Sequence, residues 1–252
     1  MVMSMRVKKS IIGSVALTLS IIMPYNLDSS DFDPIGMLKK ARENFAAVND
    51  YTATFIKQQR IKGKLNKKET IFTKFKKPFC IYYKWVQPDG GKEVIYVEGK
   101  NKGKLIAHLG GAAMFFPIAK WLNPEDPMAM EGNKYPITRS GIGNMIESLI
   151  SQYELAQSAD DLEVFYMGIE SLDGRPTHVI ARRLPKKDDY ACYLSMTNID
   201  IATKLPIRNI SYDWDHTLSD LYYYKDLKLN QGLTDKDFDP NNRKYKFGLF
   251  KF

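Results

Sequence analysis

Histidine and cysteine are scarce in this 252-residue chain, which has three of the first and two of the second. That scarcity narrows the chemistry on offer. No HExxH or CxxC spacing is present, so the residues that usually gather a metal ion are not set out in the sequence. A GxSxG elbow and a P-loop are missing too, and Gly141-Ile142-Gly143 lacks the third glycine of a dinucleotide fingerprint. The histidines stand apart at positions 108, 178 and 216, and only His216 has carboxylates beside it, in Asp213 and Asp215. A turn accounts for that group; the alternative is a hydrolase or metal enzyme built on His216 with one of the two acids. Asp160-Asp161 and Asp188-Asp189 sit beside turn residues and read as solvated loop acids, not as a glycosidase pair. No catalytic residue, metal ligand or cofactor site emerges, and the chain reads as non-enzymatic.

Long apolar runs are also lacking, with one exception at the start. Arg6, Lys8 and Lys9 precede an uncharged, mostly apolar stretch over residues 11–23, which Pro24 ends. Basic, apolar and then polar is the order of a secretory signal peptide, and the run falls short of the ~20 residues of a comfortable spanning helix. A clean A-x-A site is missing, so residues 1–30 are read as a signal peptide or a short retained membrane anchor, and residues 31–252 as one exported, periplasmic domain. Removing residues 1–24 takes away three basic groups and no acid, which lowers the net charge from +8 to +5. Much of the rest is lysine between positions 57 and 77. That reads as a solvated sheet face with mild attraction to anionic headgroups, and not as a nucleic-acid surface. Export permits a disulfide between Cys80 and Cys192, but two buried thiols fit their strand contexts equally well.

What is present is a change of period. Asp33 and Pro34 suit the start of a helix that carries Ile35, Leu38, Phe45 and Val48 and ends near Asn49-Asp50. From Tyr51 the period becomes two, with strands expected over 51–61, 69–76, 79–86 and 93–98, joined by short turns that make antiparallel neighbours. A second amphipathic helix is expected over 141–157. Strands then return at 162–170 and 177–184 around Asp173-Gly174, and at 190–201, 205–214 and 221–230, with a helical turn near Thr234 or Asp235. Nothing marks a linker. The fold class is α+β, a curved antiparallel sheet with helices segregated to one face.

Two stretches stand out for function. Phe79, Ile81, Tyr83 and Trp85 alternate onto one side of their strand, with Phe75 close by, and so aromatic a face must be covered. An ordinary core under a helix and a ligand cavity satisfy that need equally. Residues 110–121 join two glycines to Met114, Phe115, Phe116 and Trp121 without a regular period, as a lid or a static plug over an apolar surface would. Phe75, Phe79, Ile81, Tyr83, Trp85, Met114, Phe115, Phe116 and Trp121 are therefore the ligand-cavity candidates.

The run Tyr51-Thr-Ala-Thr-Phe-Ile-Lys-Gln-Gln59, followed by Lys77-Pro78-Phe79 through Trp85 and then Pro88, resembles the LolA-type outer-membrane lipoprotein carriers. Ile95-Tyr96-Val97-Glu98-Gly99-Lys100 and the stretch from Asp226 to Phe238 resemble that superfamily's next strand and its closing strand and loop. The likeness covers about residues 34–105 and 205–240. The middle segment and the 141–157 helix depart from it, and Tyr82-Tyr83-Lys84 stands where such carriers often place Arg before the Trp, which points to a separate branch. The resemblance implies an unclosed β-barrel with helices over its concave face and an apolar cavity for acyl chains. Its partners would be lipids or lipoproteins, with transient contact to a membrane. The alternative on the same fold is an envelope sensor or interaction module.

Overall fold

The computed structural model describes residues 33–110 and 119–247. Three helices and twelve strands follow one another as α1 (Pro34–Ala46), β1 (Asp50–Ile61), β2 (Lys64–Leu65), β3 (Glu69–Lys76), β4 (Cys80–Gln87), β5 (Glu93–Val97), β6 (Leu105–His108), β7 (Ala119–Leu122), α2 (Pro127–Met130), α3 (Ile142–Ser158), β8 (Glu163–Leu172), β9 (Arg175–Arg183), β10 (Leu194–Asp200), β11 (Pro206–Tyr212) and β12 (Leu218–Leu229). The ladders run antiparallel in the order β7-β6-β5-β4-β3-β1-β12-β11-β10-β9-β8, with β2 on β1. The end strands β7 and β8 are not joined, so the sheet is unclosed, and the α+β class read from the sequence is observed.

The chain gathers into two compact units, each assembled from separated stretches. One holds residues 33–45 and 142–219, and the other 46–110, 119–141 and 220–247. No linker is visible in the sequence because neither unit is a continuous piece of it.

In the first unit, α1 starts where the sequence places it, with the Asp33 carboxylate accepting the Gly36 N–H at 2.8 Å. Arg42 of α1 forks onto Glu147 of α3 at 2.7 and 2.5 Å. Gly143 lets Phe45 lie against the backbone, since a Cβ there would stand 2.6 Å from the ring. The apolar stripe of α3, from Ile142 through Ile146, Leu149, Ile150 and Tyr153 to Ala156, is buried. Ala156 closes a small core with Leu184 and Tyr190. Asp173 and Gly174 both take positive φ, 49° and 81°, which is the twist that a two-residue hairpin between β8 and β9 requires.

In the second unit β1 is central. Tyr51 and Phe55 face Phe75 and Ile71 on β3, and Phe55 faces Tyr224 on β12. Tyr51, Ala53, Phe55, Lys57 and Gln59 are all buried, so one face of β1 is covered along its length. The opposite face of β4 is covered as well. Cys80 and Tyr82 pack with Ile95, Val97 and Ile106 beneath Phe238, Tyr245 and Phe247 of the C-terminal segment. A 3-10 turn, Asp235–Phe238, opens that segment behind a Thr234 capping box. Lys74 fastens it to Asp237 at 2.7 Å and to the Tyr245 hydroxyl at 3.1 Å, and Tyr82 stacks on Tyr245 at 4.3 Å. A strand buried on both faces has no polar side to alternate with, which is why β4 reads as an almost continuous run of large side chains.

Candidate functional site: an aromatic sheet face under a strap

The rings on the inner face of the second unit form a chain. Tyr51 stacks on Phe75 at 4.9 Å, and Phe55 stacks on Tyr224 at 4.7 Å, on Tyr83 at 5.9 Å and on Tyr222 at 6.1 Å. Phe79 meets Phe75 and Tyr96 edge-on, and Tyr83 meets Trp85 in the same way at 5.9 Å. Five sequence candidates, Phe75, Phe79, Ile81, Tyr83 and Trp85, thus share one face, all buried except Phe79, which is half-buried. Burial pushes the phenols of Tyr83, Tyr222 and Tyr224 well above their ordinary range.

Trp121 does not join them. It lies in edge strand β7 opposite Ile106, which pairs with Ile95, which in turn is opposite Tyr82, so it belongs to the side of the sheet that the C-terminal segment packs on. It is 45% exposed there. Of the expected irregular segment 110–121, the end at 119–121 lies instead in a strand on β6, a stretch too short for its alternation to be read from sequence. Met114, Phe115 and Phe116 lie outside the described residues.

What crosses the aromatic face is a different segment, residues 131–141, which runs along β1. At one end the Asn133 amide oxygen accepts the Lys57 ammonium at 2.5 Å, and Lys134 reaches Asp220 at 2.7 Å. At the other end Gly141, at φ +95°, stands over Tyr51 and Phe75; a Cβ there would lie 3.3 Å from the Tyr51 hydroxyl. Glycine is required on both counts, the positive φ and the close approach.

The Lys57 end is a buried polar network. Lys57 pairs with Glu69 at 2.7 Å, and Glu69 also accepts the Trp85 indole N–H at 2.7 Å. Gln59 donates to the Tyr222 hydroxyl at 2.6 Å. Burial lowers the Lys57 pKa in spite of Glu69. Sequence reasoning singled out neither this network nor Tyr51, Phe55, Tyr222 and Tyr224 as lining residues. The alternation of β1 held a signal for Tyr51 and Phe55, but nothing local tells that β12 lies beside β1.

The group around His216 is a turn. The Asp213 carboxylate accepts the N–H groups of Asp215 and Thr217 and the Thr217 hydroxyl, at 3.1, 2.8 and 2.7 Å, and His216 lies edge-on to Tyr193. Cys80 and Cys192 are both free and buried. Among the described residues no three His, Cys, Asp or Glu side chains converge as metal ligands, and no helix is long and apolar enough to cross a membrane.

A family model described as "Protein of unknown function (DUF1571)" matches residues 48–247. None of the curated proteins matches the chain. Among solved structures it is similar to lipoprotein LppX of Mycobacterium tuberculosis, with 12% identity and a TM-score of 0.49 over 81% of this chain and 97% of that one. It is also similar to a LolA superfamily protein of Nitrosomonas europaea, with 11% identity and a TM-score of 0.34 over 81% and 96%. The Pseudomonas aeruginosa MucA/MucB complex matches with 13% identity and a TM-score of 0.42, over 81% of this chain and 60% of that one.

Proposed function

The chain belongs to the DUF1571 family, and we propose that it is an exported, non-enzymatic carrier that binds a lipid or the acyl chains of a lipoprotein against the aromatic face of β1, β3, β4 and β12. One observation carries the reading: an extended wall of rings is crossed by residues 131–141, whose one regular piece is the short 3-10 turn Ile137–Arg139, in place of a long helix or a strand. A segment without its own ladder of hydrogen bonds to the sheet separates from it at lower cost than a paired strand does. The face is suited to acyl chains because each buried methylene contributes about 0.8 kcal/mol, so a chain needs no polar anchor to be held. The apolar run at residues 11–23, read as a secretory leader, and the LolA-like strand motifs support the same reading and favour a cargo of the cell envelope.

Native mass spectrometry of the protein recovered from the envelope tests this. Stoichiometric acyl-bearing mass that moves to acceptor vesicles is the expected result, and retention without transfer would indicate a sensor. Protein that is lipid-free as isolated and does not take up fatty acid or phospholipid in vitro would rule out the carrier.

A further inference from the structure

The end of the second unit where β1 turns through β2 into β3 carries an excess of positive charge. Lys62, Lys64, Lys67 and Lys68 are exposed, with Arg60 beside them donating to the Gly63 carbonyl at 2.9 Å. Other lysines of this unit have partners: Lys57 with Glu69, Lys74 with Asp237, Lys76 and Lys100 with Asp235, and Lys134 with Asp220. Among the described residues none of the four loop lysines forms an ion pair. Four neighbouring cations repel one another, and placing them within seven residues is of use chiefly where an outside anion is met.

Apolar side chains stand at the same end. Asn66 of the lysine loop donates to the Gly132 carbonyl at 3.4 Å, and Lys57 holds Asn133, so the loop and the chain around residue 132 are neighbours. That chain exposes Met128 and Tyr135, at 50% and 45%, and the loop's own Ile61 and Leu65 are only half-buried. Of the acids on that chain, Asp126 is turned onto the Asn123 N–H at 2.7 Å, and Glu125 and Glu131 are exposed, so the four lysines outnumber them and the end keeps a net positive charge.

We propose that this end of the unit docks on an anionic phospholipid bilayer. Lys62, Lys64, Lys67 and Lys68 meet headgroup phosphates, while Met128 and Tyr135 enter the interface. An acidic protein would satisfy the lysines and leave the exposed apolar pair without a role; a bilayer engages both. The inference is independent of the carrier reading, because the surface serves a lipid carrier and an envelope sensor alike.

The test is co-sedimentation of the full chain with phosphatidylcholine vesicles, with and without phosphatidylglycerol, over a range of salt. Binding should require phosphatidylglycerol and weaken with salt. Replacing Lys62, Lys64, Lys67 and Lys68 by Gln should weaken it about fivefold per lysine. A charge-matched control, Lys102, Lys186, Lys204 and Lys244 to Gln, should bind as wild type; all four lie away from the loop in sequence and are exposed. Met128→Ser with Tyr135→Ser should remove the part of binding that persists at high salt. Circular dichroism should be unchanged in every variant, since the substituted side chains are exposed. No binding to phosphatidylglycerol vesicles overturns the proposal. So does equal binding to both vesicle types, as an apolar leader alone would give. Equal loss in the loop variant and the control overturns it as well, because net charge would then suffice.

Discussion

Two buried charges show how single residues carry this fold. Lys57 is 8% exposed and is held by Glu69 and Asn133, and its removal strands the Glu69 carboxylate beside Trp85. Breaking a buried pair from one side costs about 3–5 kcal/mol, so Lys57→Ala should lower stability by that order in denaturant unfolding. The same substitution frees residue 133, so hydrogen exchange over residues 131–135 should quicken beyond what global unfolding explains. Asp200 does equivalent work in the first unit. Its carboxylate accepts the Thr203 N–H and hydroxyl, both at 2.7 Å, and the Arg175 Nε at 2.8 Å. Burial raises its pKa, but these donors outweigh burial and hold it below the ordinary value. Its contribution is therefore present above the unfolded pKa and is lost as pH falls through the lower folded value. Asp200→Asn should make stability less steep on the acid side, as read from the urea midpoint against pH.

At the scale of elements, β4 is covered on both faces, and its two covers can be told apart. Phe55 lies at the hub of the inner rings, and Phe55→Ala should cost about 3–5 kcal/mol if those rings are already close-packed without ligand. A loss well below that range, together with loss of bound lipid, would show that the rings close on cargo and not on one another. Tyr245 covers the outer face, stacked on Tyr82 and bonded to Lys74. Tyr245→Ala should destabilise the protein without altering lipid content, and a parallel loss of lipid would show that the C-terminal segment belongs to the binding site.

For the molecule as a whole, alkaline pH is the sharpest probe. Tyr82, Tyr83, Tyr222 and Tyr224 have phenols raised by burial, and Tyr153 is pushed up to about 12. In the unfolded chain these groups ionise near pH ~10, so the folded form binds more protons above that value. Their contribution is complete below pH ~10 and is lost as pH rises through the folded values. Lys57 acts in the opposite direction with a lowered pKa, but it is one group against these phenols. The urea midpoint should fall from about pH 9 upward, and Tyr83→Phe should make the fall shallower.

Where sequence and structure agree, the cause is local. The Asp33 cap, the stripe of α3, the paired positive φ at Asp173-Gly174 and the alternation of β1, β3 and β4 are set by residues within a few positions of one another, and all were legible. The candidate face was legible to the same depth, one strand at a time. The tertiary structure decided which strands became neighbours. It put Tyr222 and Tyr224 beside Phe55, carried residues 131–141 across the rings, placed Trp121 on the other side of the sheet and laid the C-terminal segment over Tyr82. Those pairings join residues far apart in the chain, and they are selected by burial of apolar surface, which rewards any apolar partner and leaves no mark of its choice in the local sequence.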